Sequence, residues 1–391
     1  MSKKWHSFIG LAVILTMVAG LIAGCGGSGA PAADSKDIKV GANFELTGNV
    51  ANFGQQTLNG VKLAVKEANA AGGVLGKQLT LVTADNKSEP AEATNAITKL
   101  ITQDKVVAVL GPVTSSDVLA TLQVGQDNKI PVLTATATNP KITVDNGKIR
   151  PYAFRACFID PFQGKVMADF ATKTIKAKTA AIYIDNSSDY SKGLAEVFEK
   201  SFTAAGGKIV AKEGFLQKDA DFKATLTKIK ATNPETIFIP AYYEEVGKII
   251  KQARELGIDI PLLGTDGWDD SKIVDIAGAA PLNNGFFSNH YSSQDKDPNI
   301  QKFVEAYKKE YNQEPSALAA LGYDSALMLI DAIKRAGSAD PQKIRDALEQ
   351  TKNLQVSTGI LTLDAEHNPV KSAVVIEMKD GKQVFKEKIN P

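Results

Sequence analysis

The sequence predicts an α/β protein made of two lobes of similar plan, each built on a parallel central sheet. Three observations lead there. Short apolar runs of strand type alternate with amphipathic helical stretches along most of the chain, as βαβ units require. The alternation then restarts: Ala70-Ala71-Gly72-Gly73 precedes one strand, and Ala204-Ala205-Gly206-Gly207 precedes another. Two later pairs keep a constant spacing. Val106-Val107-Ala108-Val109-Leu110 matches Thr236-Ile237-Phe238-Ile239-Pro240, and Pro131-Val132-Leu133-Thr134 matches Pro261-Leu262-Leu263-Gly264.

The elements follow in order. Lys3 and Lys4 precede an uncharged apolar run from Phe8 to Gly24, the layout of a secretory signal. An uncleaved membrane anchor is the other reading, but the run is near the lower limit for a span. Ile22-Ala23-Gly24-Cys25 resembles the bacterial lipobox, which implies a signal peptide at residues 1–24 and lipidation of Cys25. Residues 25–36 are rich in Gly, Ser and Ala and lack an apolar period, so they read as a tether. Ile38 to Ala42 is a strand. Leu58, Val61, Val65 and Ala68 recur at helical spacing until Gly72-Gly73. Lys77 to Thr83 alternates as a strand, and Pro90 to Thr102 is a helix with Pro in its first turn. Val106 to Leu110 is a continuous apolar run, expected of a strand covered on both faces.

Composition removes several classes. The chain is 43% hydrophobic and 23% charged, a globular balance. Lys and Arg total 45 against 44 Asp and Glu, so there is no electrostatic footprint for nucleic acid. Two cysteines, Cys25 and Cys157, cannot build a zinc cage or a disulfide framework. With Cys25 acylated, Cys157 is expected as a buried free thiol. The histidines, His6, His290 and His367, are far apart. No phosphate loop, GxGxxG after a strand, GxSxG elbow or HExxH occurs. No cofactor and no metal are expected.

In open parallel sheets, ligands bind beyond the carboxyl ends of the strands. In the first lobe those ends lead into Gly111 to Asp117 and Thr134 to Pro140, which offer small hydroxyls and backbone N–H groups. In the second they lead into Pro240 to Glu245 and Gly264 to Asp270, which offer carboxylates and aromatic rings. Ser115 and Ser116 open a helix through Val118, Leu119 and Leu122. They read either as ordinary capping by Ser116 or Asp117, or as an anion site built on orphan N–H groups. Asp266 is either a turn residue or a counter-ion for an ammonium group. Tyr242, Tyr243 and Phe53 are core, rim or ligand-contacting aromatics.

Several ordered stretches together resemble the branched-chain amino acid (Leu/Ile/Val) family of ABC-importer substrate-binding proteins. They include Leu46-Thr47-Gly48 with Phe53-Gly54, Asn59-Gly60-Val61, and Gly111-Pro112-Val113-Thr114-Ser115-Ser116. Others are Thr136-Ala137-Thr138-Asn139-Pro140, Phe154-Arg155, Gly264-Thr265-Asp266-Gly267-Trp268 and Gly322-Tyr323-Asp324. The resemblance implies the type I periplasmic-binding-protein fold. In it, two Rossmann-like lobes are joined by three crossings, here near Phe158, near Tyr291 and around Asn368 to Ser372. Residues 37–157 with 292–369 would form the N-terminal lobe, and 158–291 with 370–391 the C-terminal lobe. It further implies that Ser115 takes a ligand carboxylate. Thr138 would use its hydroxyl and N–H, Thr136 its carbonyl toward the ammonium, and Asp266 its carboxylate, where well-known members carry Glu. Phe53, Tyr190 and Tyr242 would surround the ligand side chain, with Leu318 in place of a further aromatic.

The function so implied is an exported, lipid-anchored monomer that captures an amino acid and hands it to an ABC permease. A sensor acting through a signalling partner, and a carboxylate-based enzyme, are the competing readings. Cys25→Ala should leave the protein unlipidated and release it from the membrane fraction. Mass spectrometry of the mature wild type should find an acylated N-terminal Cys25; a free thiol there would contradict the lipobox reading.

Overall fold

The computed structural model describes residues 37–390. The expectations for the signal peptide, the tether and Cys25 fall outside the described residues. Strand β1 (Asp37–Phe44) is followed by α1 (Ala51–Ala70), β2 (Gln78–Asp85), α2 (Pro90–Thr102), β3 (Val109–Leu110), α3 (Ser115–Asn128) and β4 (Val132–Thr134). A small hairpin of β5 (Val144–Asp145) and β6 (Lys148–Ile149) leads to β7 (Ala153–Arg155). These strands form a sheet of order β2-β1-β3-β4-β7, parallel throughout.

The chain then builds a second sheet. Its elements are α4 (Asp160–Asp169), β8 (Thr179–Asp185), α5 (Asp189–Ala204), β9 (Lys208–Phe215), α6 (Lys223–Ala231), β10 (Thr236–Phe238), α7 (Tyr243–Glu255), β11 (Leu262–Gly264), α8 (Lys272–Ala277) and β12 (Gly285–Asn289). Helices α9 (Pro298–Tyr311), α10 (Ala317–Ala336) and α11 (Pro341–Glu349) follow, then a hairpin of β13 (Leu354–Val356) and β14 (Gly359–Leu361). Finally β15 (Ala373–Lys379) and β16 (Lys382–Ile389) add to the second sheet as antiparallel strands. Read from β9, that sheet runs β9-β8-β10-β11-β12, the strand order of the first sheet, before β15 and β16. The repeated plan in the sequence is thus a repeated topology.

Local chemistry accounts for the elements. Leu58, Val61 and Val65 form the buried stripe of α1. Pro90 sits in the first turn of α2, where its missing N–H costs nothing. The run Val106 to Leu110 is tied to β1 through Val107 N donating to Lys39 O (3.0 Å) and Gly41 N donating to Ala108 O (2.9 Å). Regular ladder pairing covers just Val109 and Leu110, so the strand proper is shorter than the apolar run. In the second lobe, stacked Phe198 and Phe238 (ring centroids 4.1 Å apart) tie α5 to the sheet.

Three segments connect the sheets, and they touch one another. Phe158 follows β7, and its ring stacks on His290, which follows β12, at 3.7 Å. Lys371, which precedes β15, reaches back to the first segment with its Nζ 3.3 Å from Ala156 O, and lies 3.6 Å from the Asp324 carboxylate of α10. Cys157, between them, is a buried free thiol.

Helices α1 and α10 pack backbone to backbone, which explains two glycines. A Cβ on Gly60 would lie 1.9 Å from Ala319 O, and one on Gly322 would lie 2.1 Å from Thr57 O. No side chain fits at either place unless the helices separate. Gly60→Val should therefore cost more than about 3 kcal/mol, the upper part of the usual overpacking range. Gly337→Ala, where nothing lies within 4 Å of the new Cβ and the burden is the +60° φ alone, should cost about 1–2 kcal/mol. Urea unfolding of the two variants checks this; equal losses would mean that the α1–α10 contact is loose.

Candidate functional site

The carboxyl ends of the two sheets face each other, and the loops there build one cavity. On the first side, Thr114 caps α3: its Oγ1 accepts from Asp117 N (3.3 Å) and its carbonyl from Val118 N (3.0 Å). The expected cap at Ser116 or Asp117 therefore falls at Thr114 instead, because the helix already begins at Ser115. Of the first four helical N–H groups, those of Ser115 and Ser116 are left without a protein acceptor among the described residues.

The loop before this helix is clamped from β1. Val113 N and Thr114 N donate to the buried Glu45 carboxylate at 3.1 and 3.0 Å. Asp117 lies beside Glu45. Burial and the neighbouring Glu45 charge push the Asp117 carboxyl up to about 9, so the pair shares a proton at neutral pH.

The loop after β4 is stitched to the first. Thr134 Oγ1 donates to Pro112 O (2.8 Å), and Thr136 Oγ1 donates to Val113 O (2.9 Å). The Thr136 hydroxyl is thus occupied. Ser115 Oγ accepts from Asn139 N at 3.3 Å, and Thr138 Oγ1 lies 3.4 Å from Gln163 Nε2. Beneath the loop, the fully buried Arg155 guanidinium donates to Ala137 O (2.9 Å) and Asn139 O (2.7 Å).

The second side carries the charge. Asp266 opens a short 3₁₀ turn directly after β11 and is buried. Tyr190 OH donates to Asp266 Oδ1 at 2.5 Å, and His290 Nε2 lies 2.9 Å from Asp266 Oδ2. No Lys or Arg pairs with this carboxylate among the described residues. Burial and the Asp266 charge hold the Tyr190 phenol well above its usual range, and burial holds His290 below its own, so both partners are neutral donors. Tyr190 stacks on Tyr242 (5.1 Å between centroids), and Phe53 meets Tyr242 edge-on at 5.8 Å. Gly267 admits this stack: a Cβ there would lie 2.6 Å from Ala241 O.

The cavity between these walls is small, about 20 Å³. Phe53, Ser115, Thr136, Thr138, Tyr190, Tyr242 and Asp266 all line it, and Leu318 does too. All seven sequence-predicted ligand positions therefore converge on one space. Tyr243 does not line it; its ring packs on Phe53 at 4.8 Å. Glu45, Arg155 and His290 went unnoticed as site-builders. Arg155 belonged to one of the stretches that carried the resemblance, whereas His290 had no local signal, because its partner lies 24 residues away in sequence.

The cleft is closed. Asn52 Nδ2 and Gln56 Nε2 of α1 donate to Asp270 at 3.2 and 2.8 Å, and Asn49 Nδ2 donates to Glu245 at 3.1 Å. Ser116 Oγ accepts from Asp189 N at 3.2 Å. These contacts cross from one lobe to the other.

Comparison with known proteins agrees with this architecture. The profile of the periplasmic binding protein family matches residues 37–383, and the chain belongs to that family. A leucine-, isoleucine-, valine-, threonine- and alanine-binding protein of Pseudomonas aeruginosa is 32% identical over 84% of this chain and 86% of its own length. A leucine-binding protein from Thermotoga maritima superimposes with a TM-score of 0.86 at 38% identity, covering 90% of this chain and 99% of that one. The branched-chain amino acid transporter substrate-binding protein LivJ from Streptococcus pneumoniae, crystallised with isoleucine, has a TM-score of 0.86 at 40% identity and covers 91% and 100%.

The Glu45–Asp117 pair yields a pH prediction. The folded state raises Asp117 from 3.8 to about 9, so it binds more protons than the unfolded chain between those values. Stability from this group is full below about 3.8 and is lost as pH rises toward about 9. Asp117→Asn keeps a donor for Glu45 and removes the titration. Its stability relative to wild type should improve steadily from pH 5 to pH 9 in urea unfolding. A constant difference across that range would show that Asp117 carries no extra proton in the native state.

Proposed function

We propose that this chain is an exported solute-binding lipoprotein that captures an apolar, branched-chain amino acid by lobe closure and delivers it to an ABC permease. The lobes are residues 37–157 with 292–369, and 158–291 with 370–391. One observation carries the reading: a buried carboxylate, Asp266, meets only neutral donors among the described residues and faces the cavity. An unpaired buried charge is costly, and a ligand ammonium group removes that cost.

The remaining chemistry fits a zwitterion. The N–H groups of Ser115 and Ser116, at the positive end of α3, suit a carboxylate, and the Ser115 hydroxyl adds a donor. Thr138 can supply a further hydroxyl. Thr136, whose hydroxyl is occupied, contributes its carbonyl toward the ammonium. Phe53, Tyr242, Val113 and Leu318 provide an apolar end of the kind a branched aliphatic side chain fills. Leu318, smaller than an aromatic ring, leaves room for that branch. The similar proteins described above bind leucine, isoleucine and valine among other amino acids, which supports the same class. Membership in a family of binding proteins supports capture rather than turnover. The lipidated Cys25 would keep the receptor beside its permease.

Calorimetry with leucine and its desamino analogue 4-methylpentanoate, on wild type and Asp266→Asn, tests the reading. A hydrogen bond to a charged group contributes about 1.5–3 kcal/mol, and stranding one member of a buried pair costs roughly 3–5 kcal/mol. The variant should bind leucine about ten- to several-thousand-fold more weakly. The analogue should lose much less, since it brings no cation. Equal losses would reduce Asp266 to a residue that shapes the loop after β11. No binding of any branched-chain amino acid by wild type would remove the reading itself.

A further inference from the structure

We propose that His290 is the positioning residue of the Asp266 site: a single neutral tautomer, fixed by burial and by the Phe158 ring, aims the carboxylate into the cavity without adding charge, so that proton uptake by His290 and cation capture at Asp266 oppose each other. The proposal rests on the amino-acid-binding reading above and deepens it.

The geometry fixes the tautomer. Asp266 Oδ2 is an acceptor, so the imidazole must present Nε2–H to it across 2.9 Å. Nδ1 is buried and has no hydrogen-bond partner among the described residues. In the neutral ring Nδ1 holds only a lone pair; in the imidazolium it would hold a buried N–H with no acceptor. The ring cannot turn to find one. Phe158 covers its face at 3.7 Å, and the preceding backbone is pinned by His290 N donating to Asn289 Oδ1 at 2.8 Å.

Beyond Asp266 itself, the surrounding charges give an imidazolium little relief. Lys371, from the third connecting segment, opposes a positive ring, while Asp269, beyond the 3₁₀ turn, favours one more weakly. Tyr190, on the other oxygen of Asp266, is a neutral phenol, and burial pushes the neighbouring Cys157 thiol up to about 12. Asp269 also spends its own oxygens on Gln383 Nε2 (2.6 Å) and Ala317 N (2.7 Å). Burial then holds His290 below the ordinary imidazole range. When acid does protonate it, the carboxylate meets a cation from its own lobe, and a ligand ammonium must compete with it.

His290 also stands where two parts of the machine meet. Its ring rests on Phe158 in the first connecting segment, and its Nε2 holds the ligand loop. Orientation of Asp266 is thereby tied to the arrangement of the segments that join the lobes.

The test compares the pH dependence of leucine affinity for wild type, His290→Gln and His290→Leu, with the 15N imidazole spectrum of wild type as an independent reading. Wild-type affinity should fall as the pH is taken below the ordinary imidazole range, by up to about tenfold for each pH unit below the free-state titration. His290→Gln retains an N–H donor and cannot titrate, so its profile should be flatter. It should also recover part of the affinity that His290→Leu loses, which a merely space-filling role would not produce. Affinity of 4-methylpentanoate, which has no ammonium, should not fall with acid through His290. At pH 7.5 the spectrum should show His290 as the neutral Nε2–H tautomer. Superimposable profiles for wild type and His290→Gln, or an imidazolium or Nδ1–H tautomer at pH 7.5, would overturn the proposal. Failure of wild type to bind leucine at any pH would instead overturn the amino-acid reading, and the spectrum would still decide the tautomer.

Discussion

The site depends on a carboxylate that its own lobe does not neutralise. Asp266 is buried at the end of β11 between a phenol and an imidazole, both neutral. Two donors fix its direction and satisfy part of its hydrogen-bonding capacity, but they leave its charge. In a low-dielectric setting that charge is costly until a cation arrives. The rest of the cavity complements it: the start of α3, opposite, presents N–H groups where a negative group is favoured. In the proposed function, a molecule with both charges a short distance apart satisfies both walls together in the closed arrangement.

The first lobe supplies rigidity for this purpose. Glu45 takes the N–H groups of Val113 and Thr114, Thr134 and Thr136 join the two ligand loops, and Arg155 holds Ala137 and Asn139 from below. A wall fixed in this way loses little entropy when a guest binds. The groups that pass between lobes are of another kind. Asn49, Asn52, Gln56 and Ser116 make neutral amide or hydroxyl contacts with Glu245, Asp270 and Asp189 at the edges of the cleft. Each such contact contributes modestly after exchange with water, about 0.5–1.5 kcal/mol, or up to about 3 where the partner is charged. An exposed ion pair, Lys218 Nζ to Glu89 at 2.7 Å, also joins the lobes and adds about 0–1 kcal/mol, so closure held by these contacts is reversible, as release of a cargo requires.

Much of this was legible in the sequence, for identifiable reasons. Period and punctuation located α1 and α2 because the apolar stripe and Pro90 are local signals. The repeated order of strands was visible because short apolar runs recur at a constant spacing, Val106–Leu110 with Thr236–Pro240 and Pro131–Thr134 with Pro261–Gly264. The seven cavity positions followed from strand ends and from the family resemblance together. What stayed hidden is long-range. Nothing near Glu45 reveals that it clamps a loop 68 residues on, and nothing near His290 reveals that its partner is Asp266. The capping of α3 by Thr114, not Ser116 or Asp117, was a matter of one helical register that several adjacent hydroxyls left open. Gly60 and Gly322 were noticed as motif members, but only packing shows that each makes room for the other's helix.

In the proposed function, ligand joins two lobes across one cavity and closes them. Small-angle scattering of the purified protein, with and without saturating leucine, tests this most directly. Contacts with Ser115 on one side and Asp266 on the other give the closed state its differential affinity. The radius of gyration should be smaller with leucine, with no such change for Asp266→Asn at a leucine concentration that saturates wild type. Identical profiles for wild type with and without leucine, under conditions where calorimetry shows full binding, would contradict it.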